Sequence, residues 1–153
     1  MLDKILISRC FLGDNVRYNS EIIQFNHSLL TLWQKENRFI PICPEVSGGL
    51  PVPRDPAEQQ PHSDNVITIS GTDVTREFTL GAQKALILCQ QHNIRFAILK
   101  ESSPSCGSTL IYDGSFSNKK LAGQGVTTKL LTEAGIKVFS EDNLQQLVSL
   151  LDK

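Results

Sequence analysis

Cys43-Pro44-Glu45 ends a short apolar run and places a thiol and a carboxylate two residues apart. Pro41 and Pro44 stiffen the backbone on either side of the thiol. Two chemistries suit this pair. A thiolate can attack as a nucleophile with the carboxylate as its acid–base partner. It can instead ligate a soft metal and leave the carboxylate to move protons for something else. The next stretch, residues 46–64, is rich in Pro and Gly and has no useful period. It is long for a plain connection, and such loops often carry function.

Two more of the four cysteines sit in similar places. Cys10 follows the apolar residues 4–8, and Cys106 follows 95–99, both in loops rich in Gly, Pro or Ser. Cys89 falls on the apolar stripe of a helical pattern and reads as a small core residue. The positions of the other three leave structural thiols, redox thiols and metal ligands open. Structural zinc takes four ligands, usually with close pairs such as C-x-x-C. No such pair is present, and spacing gives no support to a mixed site with His62 or His92. Ferredoxin-type spacing is absent too. Three scattered thiolates still suit three irons of a 4Fe–4S cluster, the fourth staying open as a Lewis acid.

Short apolar runs at 4–8, 38–42, 95–99 and 136–139 read as buried strands. Between them lie amphipathic helical patterns. One spans 21–35, with Ile22, Phe25, Leu29, Leu32 and Trp33 inward. The next begins at a Thr72 or Asp73 cap and runs to about residue 92, with Phe78, Ala82, Ala85, Leu86 and Cys89 inward and Asn93 as stop signal. A third opens at Gly123 and closes at Gly135. A last helix over 141–151 turns Leu144, Leu147, Val148 and Leu151 inward. Residues 65–70 and 109–112 read as minor strands, the latter followed by an Asp113-Gly114 turn. The alternation predicts an α/β fold, a single domain over residues 1–153, with a Rossmann-like parallel sheet and helices on both faces. In such a sheet the loops carrying Cys10, Cys43 and Cys106 leave the same edge, where ligands bind.

Composition narrows the partners. Lys+Arg is 15 against 16 Asp+Glu, a net charge of -1, with no basic run to hold a nucleic-acid backbone. No apolar stretch reaches membrane-spanning length, and the first residues enter a strand-like pattern without a signal-peptide core. The expected compartment is the cytoplasm, where four cysteines do not read as two disulfides.

Several motifs occur together: Ser8-Arg-Cys-Phe-Leu-Gly13 with Arg17-Tyr18, Pro41-Ile-Cys-Pro-Glu-Val46 with Gly48-Gly49-Leu50-Pro51, and Leu99-Lys-Glu-Ser-Ser-Pro-Ser-Cys-Gly107. Ile111-Tyr-Asp-Gly-Ser-Phe116 and Gly123-Gln-Gly-Val-Thr127 accompany them. On these the chain resembles the thiouracil desulfidases, a small family long filed as a domain of unknown function, over essentially its whole length. Phe11 departs mildly, since a smaller or different apolar residue often stands there. The resemblance implies an oxygen-sensitive 4Fe–4S cluster on Cys10, Cys43 and Cys106, with Cys89 outside the motifs. It implies loss of sulfur from 2- or 4-thiouracil without net redox change, giving uracil and hydrosulfide.

On that reading Glu45 is the acid–base residue, Ser103 is catalytic, and Ser102 and Ser103 bind substrate. The implied partner is a small thiolated nucleobase, the near-neutral charge weighing against a thiolated base within tRNA. The alternatives are a non-catalytic sensor of such bases and a zinc-dependent hydrolase. Lys100 reads either as a solvated charge or as a balance for the thiolates. Arg54 and Glu58 read as pins for the long loop, and Gly123 and Gly125 as a tight turn rather than an anion cradle. His27 and His62 read as surface residues, and Glu45 has Arg9 or Arg17 as its alternative ion-pair partners.

Overall fold

The computed structural model describes residues 2–21, 26–61 and 63–153. Its centre is a four-stranded sheet of β1 (Ile5–Ser8), β2 (Phe39–Ile42), β5 (Phe96–Ile98) and β8 (Lys137–Phe139), all parallel, in the order β2-β1-β5-β8. The chain runs from β1 out to β2, then returns past β1 to β5. The strand order therefore reverses between β1 and β5, the place where open α/β sheets bind ligands.

The strands' period of two divides the core into layers. Ile5 and Ile7 of β1 and Phe96 and Ile98 of β5 face one side, against Leu30 and Trp33 of α1 (Ser28–Lys35) and Leu144 and Leu147 of α5 (Leu144–Val148). Leu6 and Ala97 face the other side, with Leu99, against Ala85 and Cys89 of α3 (Thr75–Gln91) and Leu131 of α4 (Val126–Glu133). Both faces are covered, so the α/β expectation holds, and Cys89 is core at 2% exposure.

Several sequence expectations need correction. The helix expected over 21–35 begins at Ser28 among the described residues, and Ile22, Phe25 and His62 lie outside them. Leu32 and Val148 are exposed rather than inward. The terminal helix is one short element, not 141–151. The stretch read as irregular holds a single helical turn, α2 (Pro44–Ser47), and a strand, β3 (Ala57–Gln59). β3 pairs antiparallel with β4 (Val66–Thr68), outside the main sheet. A second hairpin joins β6 (Leu110–Tyr112) to β7 (Lys120–Ala122).

Helix ends follow local chemistry. His27 is the cap of α1, its Nδ1 accepting the Leu29 N–H at 3.1 Å. Asp73 accepts the Thr75 N–H at 2.9 Å at the start of α3. Asn93 (φ 53°) and Gly135 (φ 89°) take the left-handed conformation that ends α3 and α4. α2 crosses α3 with main chain against main chain. A Cβ on Gly81 would lie 1.8 Å from the Pro44 carbonyl oxygen, and one on Gly48 1.9 Å from that of Glu77.

Candidate functional site

The carboxyl ends of β1, β2 and β5 open into one cavity of about 410 Å³. Cys10, Cys43 and Cys106 all line it, together with Glu45, Ser102 and Ser103. Residues spread over most of the chain thus meet where the strand order reverses. Cys10 stands in a single 3₁₀ turn, Arg9–Leu12, directly after β1. Cys43 precedes α2, and Glu45 sits in that turn.

The Cys106 loop is held from two directions. The first-turn N–H groups of α4 lack partners within the helix. Val126 N–H donates to the Pro104 carbonyl (3.0 Å) and Thr127 N–H to that of Ser105 (2.8 Å), while the Thr128 hydroxyl donates to the Cys106 carbonyl (2.8 Å). Gly125 is needed for this approach, because a Cβ would meet the Ser105 carbonyl at 2.4 Å. Its φ of −65° is ordinary, so close contact is the reason for the glycine, not the tight turn expected.

From the other side, the Glu101 carboxylate accepts the N–H groups of Ser102 (3.1 Å), Ser108 (2.9 Å), Thr109 (3.1 Å) and Leu110 (3.3 Å). It also accepts the Ser108 and Thr109 hydroxyls at 2.8 and 3.1 Å. Burial raises the Glu101 carboxyl, but these donors together outweigh it and bring it down to about 2.

The thiols feel burial first and one another next. Burial and the Cys43 charge push Cys10 up to about 11, with Lys100 and Arg17 pulling the other way. Cys106 is driven far up by burial, then by the charges of Cys43 and Glu45, against the pull of the Ser8 hydroxyl. Burial raises Cys43, opposed by the backbone N–H of Val46 and by Arg54. Three such groups stay protonated at neutral pH unless a metal displaces the protons. The donor set is all sulfur, which suits iron–sulfur chemistry. Among the described residues, no three His, Cys, Asp or Glu side chains gather around a single ion. A structural zinc takes four ligands, and the cavity is lined by three cysteines and no histidine among the described residues.

Glu45 has a partner that sequence reasoning missed. Arg54 Nε donates to Glu45 Oε1 at 3.2 Å, and its Nη2 to the Val16 carbonyl at 3.0 Å. The expected alternatives, Arg9 and Arg17, instead pair with Asp14 and Glu21. Burial raises the Glu45 carboxyl, opposed by the charge and hydrogen bond of Arg54 and by the Ser103 hydroxyl. Ser103 Oγ donates to Glu45 Oε2 at 3.5 Å and accepts the N–H of Ser105 (3.1 Å) and Cys106 (3.2 Å). Ser103 therefore ties the carboxylate to the Cys106 loop.

Ser102 differs from its neighbour: its backbone is left-handed (φ 67°) and its hydroxyl takes no partner among the described residues. Lys100 is ion-paired with Glu141, whose other oxygen accepts the Glu101 N–H. It nonetheless lines the cavity and acts on Cys10, so balancing the thiolates is the reading the geometry favours.

A parallel α/β sheet that brings three thiols and a half-buried carboxylate to one cavity at its switch point has the architecture of an enzyme active site. The chain belongs to the 2-thiouracil desulfurase family, which it matches over residues 5–143. Among solved structures it is similar to a [4Fe-4S]-dependent thiouracil desulfidase, TudS, at 49% identity and a TM-score of 0.93, with 97% of each chain covered. It is also 39% identical, over 155 residues, to the uncharacterized protein YbbK of Bacillus subtilis (strain 168), covering 94% of this chain and 99% of that one.

Proposed function

We propose that this protein is a thiouracil desulfidase that converts thiouracil and water to uracil and hydrosulfide without net redox change. The observation that carries the reading is the meeting of Cys10, Cys43, Cys106 and Glu45 in one cavity at the strand-order reversal. The similarity to a desulfidase named as [4Fe-4S]-dependent supports it. Cys10, Cys43 and Cys106 are the proposed cluster ligands. A 4Fe–4S cluster there supplies a Lewis-acidic iron for a thiocarbonyl sulfur.

The remaining work falls to the chain's own side chains. Glu45, poised by burial against Arg54, takes a proton from the attacking water and returns one to the departing sulfur or ring nitrogen. Ser103 and Arg54 hold its two oxygens. The Ser102 hydroxyl, on a residue that lines the cavity, orients the ring carbonyl or the developing oxyanion. The substrate class proposed is a free thiolated base, because the cavity is small and the net charge of -1 gives no field for RNA. All four cysteines are free, which accords with a reducing compartment such as the cytoplasm. No described helix is long and apolar enough to cross a membrane.

Anaerobically purified protein is expected to contain iron and acid-labile sulfide and to form uracil and sulfide from thiouracil. Glu45→Gln is expected to keep the iron and sulfide while losing turnover. Zinc alone, or no metal after anaerobic reconstitution, sinks the reading, as does full activity in Glu45→Gln.

A further inference from the structure

We infer that Glu58 reads a ring N–H of the substrate. This rests on the proposed desulfidase activity and adds to it the part of the base that is recognised. Glu58 stands in the middle of β3, opposite Ile67, and is only 8% exposed. It lines the same cavity as the three thiols and Glu45. Its two oxygens are used differently. Oε1 accepts the backbone N–H of Gly114 at 2.9 Å and of Phe116 at 3.2 Å, which anchors the tip of the β6–β7 hairpin. Oε2 takes no hydrogen bond from any described residue. No fully buried side-chain oxygen among the described residues lacks a partner, so Oε2 keeps some solvent contact, on a residue that lines the cavity.

A half-satisfied carboxylate in a small cavity is an acceptor waiting for a donor. A thiolated uracil presents ring N–H groups beside its thiocarbonyl, and an N–H to a carboxylate is among the stronger neutral-to-ion hydrogen bonds. The anchored tip brings Phe116 and Asn118 to the cavity, next to Tyr112. One carboxylate thus fixes a wall of the pocket with one oxygen and faces the base with the other. The substrate class that follows is a cyclic thioamide with a free ring N–H, and alkylation at that nitrogen removes the contact.

Glu58→Gln separates the two roles. The carboxamide oxygen keeps the two N–H bonds of the hairpin tip, so its NH₂ must take the Oε2 position. The cavity then meets a ring N–H with a donor instead of an acceptor. The experiment measures equilibrium binding and turnover of 2-thiouracil, its two ring-N-methyl derivatives and 4-thiouracil by anaerobically loaded wild type, Glu58→Gln and Glu58→Ala. Iron content and melting temperature are measured alongside. Wild type is expected to bind one N-methyl derivative roughly ten- to hundredfold more weakly than 2-thiouracil. Glu58→Gln is expected to lose about the same factor for 2-thiouracil and to stop discriminating, with iron content and melting temperature unchanged.

Wild-type affinity for 2-thiouracil in Glu58→Gln overturns the inference, as does a loss that only tracks lost iron or a lowered melting temperature. Turnover that survives such a result leaves the desulfidase reading standing. Tight, Glu58-dependent binding without wild-type turnover of either thiouracil upholds the inference and refutes the desulfidase reading. No binding of 2- or 4-thiouracil by loaded wild type overturns both.

Discussion

Replacing Glu101 with Gln is expected to destabilise the protein in a pH-dependent way. Its carboxylate receives four backbone N–H groups and two hydroxyls from the segment that carries Cys106. Those donors bring its carboxyl from 4.5 to about 2. Each pH unit of that drop is ~1.4 kcal/mol of preference for the ionised form in the folded chain, an upper bound of about 3 kcal/mol. Glu101 is half-buried, so solvent screening reduces this to about 1–2 kcal/mol.

The sign follows from the lowered value. The contribution is fully present above pH 4.5 and is lost as the pH falls toward 2. Denaturant unfolding of wild type and Glu101→Gln, followed from pH 7 down to pH 3.5, should show a gap that is constant above pH 5 and narrows below it. At neutral pH the gap corresponds to a melting temperature lower by roughly 2–8 °C. A gap that stays constant through pH 4 means that the six donors act through shape and not through charge, and refutes the argument.

Two further outcomes follow from the site. Cys43→Ala should lose iron on anaerobic reconstitution, whereas Cys89→Ala, within the core beside Ala85, should keep it and lose about 1 kcal/mol of stability; equal iron contents contradict the division. Arg54→Gln removes a cation that holds the Glu45 carboxyl down against burial. The acid side of the kcat/KM profile should move to higher pH, because the base must be ionised to accept a proton. An acid side unmoved in that variant removes Glu45 from that limb.

The sheet strands and the three cluster-ligand candidates were legible because short apolar runs carry their own signal and strand ends converge in a parallel sheet. Cys89 was separable from the others by helical spacing alone. β3 and β7 were not legible: Ala-Glu-Gln and Lys-Leu-Ala have no strand character of their own. They are strands because β4 and β6 offer them partners. The Arg54–Glu45 pair spans an irregular stretch, where no period relates one residue to another. Glu58 looked like a loop pin because its hairpin partners lie more than fifty residues away, with a |i−j| of 56 for Gly114.

The crossing of α2 over α3 bears on how the site keeps its spacing. Glycines at 48 and 81 let two main chains touch, so the turn holding Glu45 and following Cys43 rests on a seventeen-residue helix of the core. A side chain at either position would force the two main chains apart and carry the turn that holds Glu45 away from the core, so the spacing of thiol and carboxylate is set by two missing methyl groups.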